Sequence, residues 1–570
     1  MPGVPGAQAQ AEAPATRATV AGARPGATRA TLEASARAPV WRELALVLLV
    51  KAAASAVALA VGFRAVSDDD FARVVHAQTW AHAPRLDPTG TSWLPAPFWI
   101  TGLVMRLFGP GLDVARGVAF ALGLASAALI YLAARWIVED SGAHPRAALA
   151  GALLAAVFPW SARLGVATVP ELPAAALTLL AVASLCSPSP DRRLWGAGAL
   201  VVATLSRYEP WPVAGAFAVF SVFSALRLGQ GRAAQVKLVA AALVALAGPA
   251  AWVAWNHVAH GDALHFLVRV AAYRQALRPE GDGSLARLLA YPAAMLREEP
   301  ELVLSPLALW LVTRGTPLGA SLAAGVRPFL LPAALAVFQV AALSAALVRD
   351  GAPTHHPERA TLVALLVLAL LAGRLSAGPA GAVKGAPPPT RPSGGATPQS
   401  GTSGTGAALR MGLRFAMAGI ALLFIGAGWI RRWYRQEHFN ARVDEVAVGR
   451  AAGALLPPGT PVLLEVPHYG YFAVLAALGR PGQVVLDRSI DPRDPPVASS
   501  FADPVALRRR LAAAGCKHFI GQQGPAGESV AGAPRAVHGR WALWDVRAAP
   551  AAPAAPAAPA APVAGEEPPP

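Results

Sequence analysis

Apolar runs long enough for a membrane recur along this chain from residue 41 to residue 430. Crossing a bilayer core of roughly 30 Å takes about 20 predominantly apolar residues as a helix. Eleven runs approach or meet that requirement: 41–63, 114–138, 146–164, 171–186, 194–206, 212–226, 236–257, 285–312, 328–348, 360–375 and 407–430. The fourth to sixth are short. Lipid offers no partner to a free N–H or C=O, so each run is expected to be helical. Only 14% of the residues are charged, against roughly 25% in a soluble domain, too few to coat a water-facing surface. The expected fold class is a polytopic α-helical membrane protein with about eleven transmembrane helices and a small C-terminal α/β domain.

The net charge of +16 could suggest nucleic acid. The arginines lie mostly in the short gaps between apolar runs, which is how topology is encoded. No basic patch is interleaved with aromatics, and nucleic acid is excluded as a partner. With the N-terminus in the cytoplasm, the even gaps also face inward. They carry Arg192 and Arg193, then Arg227, Arg232 and Lys237, then Arg314 and Arg327, then Lys384 and Arg391. Arg431, Arg432 and Arg435 fall on the outer side and run against this scheme.

Segment 1–40 is rich in Ala, Pro, Gly and Thr and is expected to be disordered. The first run, 41–63, reads as a signal anchor. Residues 376–406 read as a disordered cytoplasmic linker, and the Ala/Pro repeats of 549–570 as a flexible tail. Between them, 439–548 changes pattern. Helices are expected at 443–456, 471–478 and 504–514, and strands at 461–466, 484–486, 517–520 and 541–546, which together make the small α/β domain. By parity it lies on the same outer side as the first loop, 64–113. Cys186 and Cys516 have no CxxC or Cys/His metal spacing and read as small apolar residues.

The outer gaps hold the informative polar residues. Asp68, Asp69 and Asp70 follow the first run directly, then Phe71, Ala72 and Arg73. Like charges this close raise one another's pKa, which suits a base or a cation site. The plainer reading is a helix start, with Ser67 or Asp68 as cap. Trp93 and Trp99 belong either to an interfacial belt or to a lipid-carrier groove. Glu171 opens the fourth run, Arg207-Tyr208-Glu209 ends the fifth, and His355-His356-Pro357-Glu358-Arg359 precedes the tenth. Acidic residues cannot snorkel far, so Glu171 and Glu209 stand out among boundary residues.

This arrangement resembles the GT-C superfamily of membrane glycosyltransferases, in the branch of the protein O-mannosyltransferases and lipid A aminoarabinose transferases. In that family an acidic pair opens the first external loop, and Asp69-Asp70-Phe71-Ala72-Arg73 occupies the place. Glu171 matches an acid of the second external loop. Arg207–Glu209 is similar to a Thr-Arg-x-Glu-like loop, and His356–Arg359 to a late external His/Arg motif. The resemblance covers about three-quarters of the chain and rests on order and position.

The resemblance implies an integral protein of the cell (inner) membrane with its site on the extracytoplasmic side. It implies inverting transfer of a sugar from a polyprenyl-phosphate donor to an acceptor, whether protein, lipid A or envelope glycan. Asp69 is then the expected base, with Asp68 as its alternative in the triplet and Asp70 and Glu171 as helpers. Arg207 and Arg359 lead as phosphate binders, ahead of Arg73. Glu209, His356 and Trp93 complete the substrate-binding set. Clustered Asp69, Asp70 and Glu171 would also suit Mg or Mn, which the family's protein-mannosylating members do not require. Two readings of other classes compete. A transporter or flippase would show internal repeats and broken midplane helices, and a non-catalytic scaffold would tolerate loss of Asp69.

Overall fold

The computed structural model describes residues 40–90, 93–139, 146–227, 231–277, 283–304, 306, 325–350, 356–377, 423, 426–431, 439 and 441–546. Segments 1–39, 378–422 and 547–570, and with them most of the expected N-terminal segment, linker, eleventh run and tail, lie outside the described residues, as does His355.

Helix α1 (Val40–Ala60) begins the described chain. Then come α2 (Asp68–His82), α3 (Ala96–Phe108), α4 (Leu112–Glu139), α5 (Arg146–Val157), α6 (Pro159–Leu164), α7 (Glu171–Leu185), α8 (Pro190–Thr204), α9 (Pro210–Leu226) and α10 (Arg232–His260). They are followed by α11 (His265–Leu277), α12 (Ser284–Glu298), α13 (Leu330–Asp350), α14 (Pro357–Ala360) and α15 (Leu362–Ala377). Among the described residues, the segments Val40–Ala60, Leu112–Glu139, Arg232–His260 and Arg327–Arg349 are long and apolar enough to cross a membrane alone. Several apolar helices are shorter, including α5, α7 and α9. Val236, Val239, Leu243, Val244 and Leu246 of α10 remain exposed, as a lipid-facing surface requires.

Lipid supplies no hydrophobic drive between helices, so close approach through small residues matters more than in water. Helices α5 and α15 meet this way: a Cβ built on Gly151 would stand 2.9 Å from Leu370 Cα, and one on Gly373 would strike the backbone of Gly151. Helix α7 packs on α4 and α8, and α8 packs on α10.

The external loop 64–113 contains α2, with the helix start expected at Ser67 or Asp68, and a further helix, α3. One expected run is corrected. The run 146–164 is not one helix. Phe158 is extended (φ −63°, ψ 143°) and Pro159 starts α6, as expected where a proline disfavours the α region in the residue before it. The outer gap 259–284 contains α11.

Residues 443–546 contain α16 (Val443–Leu455), α17 (Tyr471–Leu478), α18 (Pro504–Ala514), α19 (Pro525–Ala531) and a five-stranded sheet. The strands are β1 (Val462–Leu464), β2 (Val484–Leu486), β3 (His518–Gln522), β4 (Ala536–His538) and β5 (Trp541–Asp545), in the order β2-β1-β3-β5-β4. β1 runs parallel to both β2 and β3, while β5 is antiparallel to β3 and β4. Strand alternation sorts the side chains onto two faces. Leu463, Phe519, Ala542 and Trp544 pack with Leu507 and Leu511 of α18 and Val530 of α19. Val462, Leu464, Ile520, Trp541 and Leu543 join a core that also contains Phe71, Val74 and Val75 of α2 and Leu112 and Ala115 of α4. Burying a side chain such as Phe71 or Val74 contributes about 1.5–3 kcal/mol. The sheet therefore shares its core with α2 instead of standing apart from the helices. Gln78 of α2 reinforces the junction, its Nε2 donating to Pro110 O and Ala476 O at 2.8 Å each.

Candidate active site

The site is built on the first turn of α2. Ser67 caps the helix: its Oγ accepts from Asp69 N at 3.3 Å. Asp70 Oδ2 reaches back to Ser67 N at 3.2 Å and Val66 N at 3.1 Å, completing a capping box. Asp70 Oδ1 accepts from Thr168 N at 3.1 Å, and Thr168 Oγ1 donates to Asp70 O at 2.9 Å. Asp70 is 2% exposed, and both carboxylate oxygens are occupied by backbone donors. It ties α2 to the segment before α7. Burial pushes its carboxyl up to about 6, against the pull of Arg359 and the Ser67 N–H.

The two neighbouring aspartates go elsewhere. Asp68 receives Arg442, with Nε to Oδ1 at 2.9 Å and Nη2 to Oδ2 at 2.8 Å. Asp69 receives Arg359 Nη1 on Oδ2 at 2.9 Å, while Arg359 Nη2 donates to Ser67 Oγ at 2.5 Å. The Asp69 side chain is 39% exposed and that of Arg359 only 2%. Burial raises the Asp69 pKa, but the charges of Arg359, Arg73 and His356 outweigh it and hold the carboxyl below the usual carboxylate range.

Glu171, at the start of α7, is buried beside two arginines. Its Oε1 accepts from Arg207 Nη1 at 2.9 Å and lies 3.8 Å from Arg359 Nη1. Its Oε2 has no hydrogen-bond partner among the described residues. Arg207 forks onto Glu209, from Nε to Oε2 at 3.1 Å and from Nη2 to Oε1. Desolvation opposes the charge on each, and the mutual attraction wins: the Arg207 pKa is raised and that of Glu209 lowered. Arg207 is thus committed to two carboxylates. A cavity of about 20 Å³, room for one water, is bordered by Glu171, Arg207, Glu209 and Arg359.

Arg73 differs from these. It is 7% exposed and its guanidinium stacks over Trp93, with 4.5 Å from Cζ to the ring centroid. Its Nε has no hydrogen-bond partner, and among the described residues no carboxylate pairs with it. Trp93 lies nearly parallel to Phe98 at 6.0 Å, and His76 meets Trp93 edge-on at 5.5 Å. Burial and the nearby Arg73 and Arg85 charges pull the His76 pKa down to about 4, so the ring is neutral at pH 7.

His356 Nδ1 lies 3.0 Å from Glu358 Oε1.

The structure therefore gathers Asp69, Arg73, Glu171, Arg207, Glu209 and Arg359 into one cluster and directs Asp68 and Asp70 away from it. The proposed trio Asp69, Asp70 and Glu171 does not form a cation cage: Asp70 is held by N–H donors, and Asp69 and Glu171 face Arg359. Among the described residues no three His, Cys, Asp or Glu side chains assemble as metal ligands. Thr168 and Arg442 were missed, while Ser67 is the cap that the sequence offered. Ser67 and Asp70 carry a readable capping signature, whereas Thr168 and Arg442 give no local signal.

Beside the cluster runs an apolar groove of about 170 Å³. Its walls include Ile100 of α3, Ala119 and Leu122 of α4, Leu177 of α7 and Val202 of α8, and it reaches Thr168, Val169 and Pro170, next to Glu171. Trp93 is not among its lining residues and serves instead as the platform under Arg73.

Residues 88–255 match the family model of dolichyl-phosphate-mannose-protein mannosyltransferases. The fold is similar to that of ArnT from Cupriavidus metallidurans bound to undecaprenyl phosphate, with a TM-score of 0.55 at 13% identity, covering 89% of this chain and 97% of that one. The apo form of the same protein gives a TM-score of 0.52 at 14% identity, covering 86% and 96%. No curated protein sequence matches the chain. The chain therefore shares its helical fold with ArnT.

Proposed function

We propose that this chain is a polyprenyl-phosphate-dependent glycosyltransferase of the cell membrane, working at the outer face. The observation that carries the reading is a half-exposed carboxylate, Asp69, set among the buried arginines Arg73 and Arg359 and the half-buried Arg207, with an apolar groove that reaches Thr168, Val169 and Pro170 beside them. A lipid-linked sugar phosphate presents the matching parts. Its isoprenoid chain suits the groove, its phosphate suits a buried guanidinium, and its anomeric carbon then lies near the carboxylate. The basic residues of the even gaps favour an inward N-terminus, and that orientation supports a site at the outer face.

Among the three arginines, Arg73 is the one without a carboxylate within salt-bridge distance among the described residues. Arg207 is neutralised by Glu171 and Glu209, and Arg359 is engaged by Asp69 and Ser67. We assign Arg73 as the principal phosphate ligand, with Arg359 bridging phosphate and base. A bidentate guanidinium contact both orients the phosphate and stabilises it as it leaves.

In the transfer step an acceptor hydroxyl attacks the anomeric carbon on the face opposite the phosphate. The new C–O bond forms as the bond to the phosphate oxygen breaks. The electron pair of that bond leaves with the polyprenyl phosphate, the hydroxyl proton passes to Asp69, and the configuration inverts. Asp69 alone is a weak base, because Arg359 and Arg73 depress its pKa. Phosphate binding offsets those charges and raises its basicity when the donor is in place.

Incubating the purified chain in lipid nanodiscs with a panel of radiolabelled polyprenyl-phosphate hexoses and pentoses, with envelope glycolipid and peptide acceptors, tests the reading. Sugar release or transfer with inversion supports it. Neither turnover nor binding across the panel overturns it.

A further inference from the structure

The segment carrying the sheet makes one contact with the site's own turn that the transfer chemistry does not use. Arg442 immediately precedes α16. Among the described residues it is the one non-glycine with positive φ, at φ 44° and ψ 47°. A residue with a Cβ enters this left-handed region rarely, and holds it where its surroundings fix it. Here the fixing contacts are the fork onto both oxygens of Asp68 and a 3.3 Å bond from Nη1 to Glu445 Oε1.

Asp68, Asp69 and Asp70 are consecutive on one helical turn, so their side chains leave the axis in three directions. Each direction is anchored on a different part of the chain: Asp68 on Arg442, Asp69 on Arg359, and Asp70 on Thr168 and the backbone at 66–67. A turn held on three sides cannot rotate about its axis. Removing Arg442 takes away the bidentate fork on the side away from the site. The rest of the sheet segment does not depend on Arg442, since the shared apolar core, Gln78 and the Arg450–Asp113 pair at 2.7 Å also hold it.

We infer that Arg442 is a positioning residue: through Asp68 it fixes the first turn of α2 so that Asp69 faces Arg359. The sheet segment thereby forms part of the catalytic unit. Only the kinetic arm of the test rests on the sugar-transfer reading.

The test uses the full-length chain in nanodiscs with Arg442→Gln, Arg442→Lys, Asp68→Asn and the double variant Arg442→Gln/Asp68→Asn. Hydrogen exchange read by mass spectrometry is expected to show amides of the first turn of α2 exchanging at least tenfold faster in Arg442→Gln, with α17 and β3 unchanged. With a polyprenyl-phosphate sugar that the wild type uses, Arg442→Gln and Asp68→Asn are each expected to lose tenfold or more in kcat. KM for the donor stays within twofold, the double variant is no worse than either single one, and Arg442→Lys recovers part of the rate. Unchanged exchange in the first turn overturns the inference, as do losses that multiply in the double variant. If the wild type transfers no sugar, the transfer reading falls and the exchange measurement still decides the role of Arg442.

Discussion

Arg359 donates from Nη1 to Asp69 Oδ2 at 2.9 Å across 290 residues of sequence. The start of α14 thereby meets the start of α2, and the same guanidinium lies 3.8 Å from Glu171 at the start of α7. Three helix beginnings converge on one cation, which is how a multi-helix bundle builds a site at one of its ends.

The arginines of the cluster should separate by phenotype. Arg207→Ala strands Glu171 and Glu209 in a buried setting, and breaking such a pair costs about 3–5 kcal/mol. The thermal transition in detergent should fall sharply. Arg73→Ala removes no ion pair among the described residues and loses contacts with the rings of Trp93 and Phe98, so it should destabilise less than Arg207→Ala while affinity for polyprenyl phosphate drops at least tenfold. Equal destabilisation by both substitutions contradicts the assignment of Arg73.

The pH profile follows from Asp69. Its folded pKa is depressed, so the carboxylate persists as pH falls below the usual carboxylate range, and the base is lost only below that. Donor phosphate counters Arg359 and Arg73 and should raise this pKa in the complex. The acid limb of kcat is therefore expected at higher pH than the acid limb of kcat/KM. A kcat limb at lower pH argues against phosphate binding beside Asp69.

His76 gives an independent titration. Its folded pKa is about 4, below the unfolded value of roughly 6.5. Between those values the unfolded chain binds the extra proton, so stability falls as pH drops from about 6.5 towards 4. Thermal melts across that range should show a smaller acid loss in His76→Gln than in the wild type. Parallel curves would remove His76 from the account.

Gly123 tests the packing behind the site. A Cβ there would run into the backbone carbonyl of Gly165, whose own Cβ would stand 2.6 Å from Lys51 Cε. Gly123→Ala therefore overpacks the contact between α4 and the segment that carries Thr168 and Glu171. It should destabilise by about 1–3 kcal/mol, seen as a lower melting temperature. An unchanged melt would show that this segment yields easily.

Parts of the fold were legible where local signals are strong. Helix α17 ends at Gly479 in the left-handed conformation, and α18 is bracketed by an Asp503 cap, Pro504 and a left-handed Gly515. Both have the bounds expected from sequence. β4 was missed because its three residues, Ala536–His538, have no buried face to pattern. α3 was hidden by Pro95 and Pro97, read as loop residues although proline suits a helix start. Arg431, which runs against the charge pattern, donates to the carbonyls of Arg297 and Glu298 at the end of α12. The triplet could not be resolved locally: Asp68 is assigned by a residue 374 positions away, and Asp70 by one 98 positions away. The resemblance in order named Asp69 and Arg359, among others, and the structure pairs these two. The competition among Arg73, Arg207 and Arg359 needed the three-dimensional pairing of charges, which no spacing encodes.

The most direct test of the central claim is sugar transfer from a polyprenyl-phosphate donor by the wild type and by Asp69→Asn, measured side by side with binding of unlabelled donor. Donor binding within a few-fold in both is expected, with a loss of at least a hundredfold in transfer for Asp69→Asn. Equal transfer by the two proteins would contradict Asp69 as the base.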